Sequence, residues 1–261
     1  MDILIALAVS LGINLLMFVP AFIFKTDKLT DISYAVTFVV VLLFGFLTNS
    51  INVMTVLLLI MIVLWAIRLG VYLLIRIRKI GRDKRFDGMR ENFFPFLKFW
   101  ILQGISVFVI MVPAVLFLNT EIKTFGAVSL IGIIIWCGGL MLETTADYQK
   151  YQFINNIDNK GKWIDIGVWH YSRHPNYLGE IMVWVGLYLF MLPVLSISHA
   201  FIGLIGPLYI ITLISFVSGI PLLEKGADKR WGENPAYRAY KKRVGVLFPK
   251  INNKLAVWSD K

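Results

Sequence analysis

The sequence has few charged residues and almost no cysteine. Charged side chains make up 16% of its 261 residues, 58% are hydrophobic and mean hydropathy is +0.73. Ordinary soluble proteins are about one quarter charged, so this chain has too few polar groups to cover a water-exposed surface, and lipid is its expected solvent. The single cysteine, Cys137, cannot form an intramolecular disulfide. No metal-ligand cluster surrounds it in the sequence, and no metal site is predicted.

The nucleotide-binding signatures of soluble domains are also missing. No G-x-G-x-x-G motif follows a predicted strand, and there is no P-loop. Any nucleotide would therefore be bound by helix ends and loops of a helical bundle. The net charge of +10 does not indicate nucleic-acid binding, because the basic residues are spread over short loops.

Long apolar runs dominate the chain instead. Spanning about 30 Å of hydrocarbon takes roughly 20 apolar residues. Seven runs approach that length: Leu4–Phe24, Ser33–Thr48, Ile51–Ile75, Phe99–Leu118, Ala127–Leu142, Leu178–Leu192 and Ile197–Ile220. The first run has no basic start and no small-residue cleavage site, so we interpret it as a retained span. We predict an all-α polytopic membrane helix bundle with about seven transmembrane helices.

Basic residues occur in alternate loops and predict the orientation. All but three of the 26 Lys and Arg residues fall in the segments 25–32, 76–97, 146–176 and 221–261. Short cytoplasmic loops attract such charge. We therefore predict that the N-terminus is outside and the C-terminus cytoplasmic.

Polar residues within or at the ends of the apolar spans are the candidate functional residues, because ionisable groups in a membrane are costly. Arg68, Tyr72, Arg76 and Lys79 share one helix face by their spacing. Snorkelling to the membrane surface explains Arg76 and Lys79. Arg68 lies about two turns deeper, which indicates either an internal ion pair or contact with a ligand.

Two acidic clusters lie at the ends of later spans. Glu143 and Asp147 are four residues apart where the fifth span leaves the bilayer. They are either acceptors for a ligand or part of an interfacial helix end. Glu224 ends the last span and precedes the segment 231–240, which has the pattern of a turn and an amphipathic helix. That helix could be a lid or an anchor.

The most specific segment opens the sixth span. Pro175 forces His174 into an extended conformation and suits the first position of a helix. The free N–H groups at such a helix start bind phosphate, and Arg173 and His174 stand beside it in the sequence. Asn176 and Glu180 are one turn apart and are predicted to point into the bundle.

Together these motifs resemble the steroid 5-alpha-reductase-like membrane family, in its bacterial branch. The family pattern is Ala-Asp-x-Gln-Lys-x-x-Phe, then Asp-x-Gly-(Leu)-Trp-x-Tyr-(Ser/Thr)-Arg-His-Pro-Asn-Tyr-x-Gly-(Glu/Asp). This chain matches it at Ala146–Phe153 and Asp165–Glu180, and residues 28–34 and 65–70 also look like the bacterial branch. The chain departs from the steroid enzymes at Trp65, where they use a tyrosine to hold the substrate ketone.

The resemblance implies one integral membrane reductase domain over residues 1–261, in the bacterial inner membrane, with its cofactor-binding half at about 140–261. It implies NADPH-dependent reduction of a carbon–carbon double bond conjugated to a ketone. The expected substrate is lipophilic and steroid- or isoprenoid-like, reached from the surrounding membrane lipids.

The resemblance also implies roles for individual residues. Catalytic roles fall to Asp31 and to Arg68. Asp31, protonated because burial in a membrane span disfavours the charged form of a carboxyl group, would donate a hydrogen bond to the developing enolate oxygen, with Tyr34 in reserve. Cofactor contacts fall to Arg76, Lys79, Glu143, Asp147, Lys162, Tyr171, Arg173, His174, Asn176, Tyr177, Glu180 and Glu224. A simpler interpretation of Asp31 is that it caps the second helix.

Two other functions stay open. A membrane S-adenosylmethionine methyltransferase of the isoprenylcysteine or phospholipid type shares the Arg-His-Pro-x-Tyr-x-Gly core and a late acid resembling Glu224. The stretch Ala146–Phe153 and Asn176 favour the reductase instead. The second alternative is a non-catalytic role in lipid binding or structure.

Overall fold

The structure, a computed structural model, describes residues 2–81, 83–121 and 124–250. The α-helices in these ranges are α1 Ile3–Ile23, α2 Thr30–Leu47, α3 Val53–Ile80, α4 Phe93–Leu118, α5 Ala127–Asn155, α6 Pro175–Met191, α7 Ile197–Gly203, α8 Ile205–Thr212, α9 Ile220–Trp231 and α10 Pro235–Arg243. Seven helical stretches are long and apolar enough to cross a membrane. No strand occurs in the described ranges. The all-α polytopic prediction is thus confirmed, whereas the orientation of the termini stays a prediction.

Several helices extend beyond the apolar runs that predicted them. α2 begins at Thr30 rather than Ser33, and α4 begins at Phe93. α5 continues to Asn155, well past the predicted end at Leu142. An apolar run marks only the part of a helix that lies in hydrocarbon, so polar turns at the ends escape it. The extension of α5 places Glu143 and Asp147 within the helix.

The seventh span, predicted over Ile197–Ile220, is confirmed as a helical stretch over Ile197–Trp231, but it is not one regular α-helix. The stretch is divided into α7, α8 and a π-helix at Leu213–Val217, and α9 starts afresh at Ile220. At the break, a Cβ on Gly219 would lie 2.6 Å from the carbonyl oxygen of Ile214. The backbone is therefore packed more closely than any side chain at position 219 would permit. Short π-helices are rare in proteins as a whole, but a large share of those that occur lie at functional sites.

The chain forms two compact units, and the first comprises Met1–Ile133 with Leu187–Tyr209. Within it, α4 is the most buried of the candidate spans and packs against α1, α2 and α7. The contact of α4 with α1 is close at Gly104, whose carbonyl accepts a hydrogen bond from Ser10 Oγ at 2.8 Å. A Cβ on Gly104 would lie 3.0 Å from a methyl group of Leu11.

The second unit comprises Ile134–Gly186 with Ile210–Lys261. Here α5 and α6 cross at two glycines. A Cβ on Gly139 would lie 2.7 Å from the carbonyl oxygen of Gly179 and 2.8 Å from the nitrogen of Val183. The two backbones are thus in direct contact, as small residues allow in membrane helix pairs.

The crossing predicts a large effect of a single added methyl group. A Cβ on Gly179 would lie 2.7 Å from two backbone atoms, the nitrogen of Glu143 and the carbonyl oxygen of Gly139. We expect Gly179→Ala to lower the free energy of unfolding by about 1–3 kcal/mol, because a rigid backbone cannot yield. Thermal unfolding in detergent measures this.

The matched control is Gly12→Ala on α1, where nothing lies within 4 Å of the new Cβ. Alanine favours a helix over glycine by about 1 kcal/mol, so this variant should be at least as stable as the wild type. Equal behaviour of the two variants would contradict the close crossing.

Candidate functional site

The residues before α6 are extended and hydrogen-bonded to the chain after α10. α6 begins at Pro175, which confirms the predicted helix start. The N–H of Arg173 donates to the carbonyl of Gly245 at 2.9 Å, and that of His174 to the carbonyl of Val246 at 3.1 Å. Because a residue before proline avoids helical geometry, these donors are available for pairing with a second segment. The pairing fixes the Arg-His-Pro motif against the segment that follows α10.

The carboxylate of Glu224 binds the side chains of that motif. His174 Nε2 lies 2.8 Å from Glu224 Oε1, and Arg173 Nη2 lies 3.2 Å from Glu224 Oε2. Lys241 Nζ bridges Glu224 at 3.1 Å and Asp228 at 2.6 Å. The structure therefore pairs Arg173 and His174, both predicted beside the helix start as phosphate-binding groups, with a carboxylate. Burial lowers the pKa of Lys241, but its hydrogen bonds to the two acids outweigh burial and raise the pKa above its ordinary value.

The loop that precedes the motif is held on α5. Gly167 has a φ of +55°, and Gln149 atoms would lie within 2.5 Å of any Cβ there. The side-chain oxygen Oε1 of Gln149 accepts a hydrogen bond from the N–H of Val168 at 3.0 Å. Trp169 Nε1 donates to the carbonyl of Ala146 at 3.0 Å. The Ala-Asp-x-Gln-Lys stretch thus positions the loop, a role that the sequence did not predict.

Five predicted cofactor residues lie on the two facing helices α5 and α6: Glu143, Asp147, Asn176, Tyr177 and Glu180. Glu143 and Asp147 on α5 are only 4% and 5% exposed, and Glu180 on α6 is 9% exposed. α5 and α6 run antiparallel where they cross at Gly139 and Gly179. With a rise of 1.5 Å per residue, Asp147 on α5 and Asn176 on α6 lie at about the same height along the helix pair, about one turn from Gly179. The structure therefore brings these polar groups to one end of the helix pair.

Asn176 and Arg173 carry buried polar atoms without partners. Asn176 Oδ1 and Arg173 Nε have no hydrogen-bond partner within the described part of the chain. Glu180, by contrast, accepts a hydrogen bond from Trp184 Nε1 at 2.8 Å. Buried polar groups are nearly always paired in native proteins, so the two unpaired atoms indicate a place for a polar ligand.

A cavity of about 390 Å³ lies beside the motif within the second unit. Small-molecule sites usually measure about 300–1,000 Å³. Its charged lining consists of Lys150, Lys162, Arg173, Arg230 and Glu224. Glu143, Asp147, Asn176 and Glu180 are not among the described residues that line it. The cavity is therefore basic and brings Lys162, Arg173, His174 and Glu224 of the predicted set together.

The remaining wall of the cavity is aromatic. Trp163 packs on Tyr237 with ring centroids 5.3 Å apart, and Trp231 packs on Tyr237 at 5.7 Å. The Tyr240 hydroxyl donates to the carbonyl of Trp169 at 3.3 Å. Burial raises the pKa of Tyr240, so the phenol stays protonated and remains a donor. Sequence reasoning predicted the segment 231–240 only as a lid or an anchor and did not predict that its aromatic rings line a cavity. The i, i+3 spacing of Tyr237 and Tyr240 could have indicated this, because it places both rings on one face of a helix.

The predicted catalytic residues Asp31 and Tyr34 belong to the first unit. The N-cap residue of α2 is Leu29, without a side-chain cap, and Asp31 lies in the first helical turn. The interpretation of Asp31 as a helix cap is therefore wrong, because the helix starts two residues earlier than that role requires. The ring of Tyr34 packs edge-on against Phe38, with centroids 5.0 Å apart.

Arg68, Arg76 and Lys79 also belong to the first unit, on α3. The Arg68 guanidinium lies over the ring of Tyr72, 5.7 Å from its centroid. Arg76 forms an ion pair with Asp83 at 3.1 Å, and Lys79 is in the last turn of the helix. Although burial opposes ionisation, hydrogen bonds from Arg85 hold the pKa of Asp83 below its ordinary value.

The two tyrosines of the predicted cofactor set each contact a histidine ring. Tyr171 is 63% exposed, and its ring contacts His170 edge-on. Tyr177 stacks on His174 with ring centroids 5.8 Å apart. Among residues 2–81, 83–121 and 124–250, no group of three or more His, Cys, Asp or Glu is arranged to hold a metal ion.

Comparison with known proteins identifies relatives but no described activity. The family described as "Protein of unknown function (DUF1295)" matches residues 17–244. An uncharacterized protein of Schizosaccharomyces pombe is 26% identical over 177 residues, which cover 58% of this chain and 48% of the yeast protein. The match thus spans about half the length of that curated relative. No solved structure matches the chain significantly.

Proposed function

This chain belongs to the DUF1295 family, which includes steroid 5-alpha-reductase-like proteins, and on that premise we propose that it is an NADPH-dependent membrane reductase. Its reaction is the reduction of a carbon–carbon double bond conjugated to a ketone in a lipophilic substrate. Because the resemblance is to the bacterial branch of the steroid 5-alpha-reductase-like family, the proposed location of the protein is the bacterial inner membrane.

The charge of the cavity is the observation that carries this proposal. Lys150, Lys162, Arg173 and Arg230 line it against a single carboxylate, Glu224. NADPH is a polyanion because of its pyrophosphate and its 2′-phosphate, and clustered cations bind phosphate oxygens through charge-assisted hydrogen bonds. S-adenosylmethionine carries a positive sulfonium instead, which such a lining disfavours.

The residues also fit the uncharged parts of the cofactor. Trp163 and Trp231 offer aromatic faces in the cavity, and bases stack on such faces with about 1–3 kcal/mol each. Asn176 Oδ1 and Arg173 Nε are buried without partners in the described chain and suit a polar ligand. Glu143, Asp147 and Glu180 are further buried acceptors on α5 and α6, outside the described lining of the cavity.

In this proposal the chain itself orients the cofactor and stabilises the transition state. Lys150, Lys162 and Arg230 would hold the phosphates, and Asp147 and Asn176 would bind the polar groups of the cofactor. When bound, NADPH supplies the hydride that reduces the β-carbon of the enone. The protonated carboxyl of Asp31 would donate a hydrogen bond to the ketone oxygen as negative charge develops there.

Ligand-dependent melting of the purified protein tests the proposal. A ligand at one hundred times its Kd adds about 2.7 kcal/mol to the free energy of unfolding. We expect NADPH to raise the melting temperature and S-adenosylmethionine to leave it unchanged. Stabilisation by S-adenosylmethionine alone would favour the methyltransferase. No stabilisation by either would favour a non-catalytic role.

Neutralising two cavity cations is expected to weaken NADPH binding. The double variant Lys162→Gln with Arg230→Gln removes charge-assisted hydrogen bonds to phosphate that are worth about 1.5–3 kcal/mol each, so Kd should rise by about a hundredfold or more. Titration of NADPH, followed by the melting temperature, measures the change. Lys229→Gln is the matched control, since Lys229 is exposed beside Arg230 and does not line the described cavity. An unchanged Kd in the double variant would show that the phosphates of NADPH do not bind in this cavity.

A further inference from the structure

A polar network lies inside the membrane part of the first unit. Gln103 is the eleventh residue of α4, about 15 Å from the start of that helix. Its Nε2 lies 2.9 Å from Asn14 Oδ1, 3.1 Å from the carbonyl oxygen of Thr30 and 3.1 Å from Ser33 Oγ. Gln103 thus joins three helices, α1, α2 and α4, that are each long and apolar enough to cross a membrane.

The hydrogen bonds of the neighbours fix the orientation of the Gln103 amide. Ser33 Oγ donates its proton to the carbonyl of Thr30 at 2.9 Å. Asn14 Nδ2 donates to the carbonyl of Ser10 at 2.9 Å and to Thr37 Oγ1 at 3.2 Å. Every atom near the Gln103 nitrogen is therefore an acceptor, and only an NH₂ group satisfies that position.

The side-chain carbonyl oxygen of Gln103 must then point away from this network. It has no hydrogen-bond partner among the described residues, and Gln103 is only half-buried. In hydrocarbon no solvent molecule compensates such an acceptor, and leaving it unpaired is costly. The network holds the acceptor rigidly in place, which is how specific binding groups are arranged.

We propose that Gln103 binds the lipophilic substrate by accepting a hydrogen bond from a hydroxyl group of that substrate. The proposal rests on the proposed function, and it narrows the substrate class to hydroxyl-bearing steroid- or isoprenoid-like compounds. A neutral hydroxyl suits the site better than an ammonium group, because the three groups that accept hydrogen bonds from the Gln103 amide are all uncharged. A compound without a donor would leave the acceptor unpaired, which is a strong basis for discrimination.

Binding of farnesol and of farnesyl methyl ether to the purified protein tests the proposal. The two probes share the chain and the oxygen atom, but the ether lacks the hydroxyl proton. We expect the ether to bind about two- to tenfold more weakly, the worth of one neutral hydrogen bond, as measured by ligand-dependent melting without NADPH. Equal affinity of the two probes for the wild type would overturn the proposal.

Substitution at position 103 then assigns the effect to Gln103. In Gln103→Met the preference for the alcohol should disappear. If this variant does not fold, Gln103→Asn, which withdraws the amide by one methylene, should lose the preference as well. Ser106→Ala is the control on the same helix, because Ser106 contacts Tyr209 rather than the network, and it should keep the preference.

A preference for the alcohol that persists in the position-103 variants would overturn the assignment. The NADPH titration of the same samples is independent of these results. Failure of the reductase proposal and failure of this inference are therefore distinguishable.

Discussion

Glu224→Ala is expected to lower the free energy of unfolding by about 3 kcal/mol, because removing one partner of a buried ion pair leaves uncompensated charges. The carboxylate accepts from His174 at 2.8 Å and lies 3.2 Å from Arg173 and 3.1 Å from Lys241. The side chain of Glu224 is 18% exposed, so water compensates part of the charge that the substitution leaves unpaired. The expected loss in free energy of unfolding is therefore at the low end of the range for buried ion pairs. Thermal and denaturant unfolding in detergent measure it.

The matched control is Asp228→Ala, one turn further along α9. Asp228 shares the partner Lys241 at 2.6 Å, but its side chain is 50% exposed. Exposed ion pairs contribute about 0–1 kcal/mol, so this variant should unfold nearly like the wild type. Equal losses in the two variants would contradict a special role of Glu224. NADPH affinity should fall in Glu224→Ala as well, because Arg173 and His174 lose the group that orients them.

The seven spans and the start of α6 could be predicted from the sequence because each has a local cause. A run of apolar residues has one stable location in a bilayer, and Pro175 permits a helix only from its own position onward. The break at Gly219 was not predictable in this way. It depends on a π-helix and on the contact of Gly219 with the carbonyl of Ile214, neither of which apolar periodicity reports.

The candidate site was predictable residue by residue but not as an arrangement. Arg173 and His174 were identified, and so was Glu224, yet the pairing between them joins positions some fifty residues apart. The partner Lys241 looked like one more basic residue of a cytoplasmic helix. Similarly, Gln103 is an isolated polar residue in an apolar run, and only the contacts with α1 and α2 reveal its fixed orientation.

Asp31→Leu is expected to lower turnover by about a hundredfold to a thousandfold, the usual cost of losing one donor to a developing oxyanion. Asp31→Asn keeps an N–H donor toward the ketone oxygen and should retain part of the activity. NADPH affinity should be unchanged in both variants, because Asp31 lies on α2 and the cavity residues belong to the second unit. NADPH oxidation against a panel of lipophilic enones, normalised to folded protein, measures turnover.

The simplest structural role of Asp31 predicts a different pattern. As an acid in the first turn of α2, it interacts favourably with the helix dipole, which contributes about 0.3–1 kcal/mol to stability. Loss of that interaction would reduce the amount of folded protein and leave the rate per folded molecule unchanged. It would also affect Asp31→Asn and Asp31→Leu alike, since both remove the charge. Full activity per folded molecule in Asp31→Leu would therefore refute the catalytic role and make Tyr34→Phe the next variant to measure.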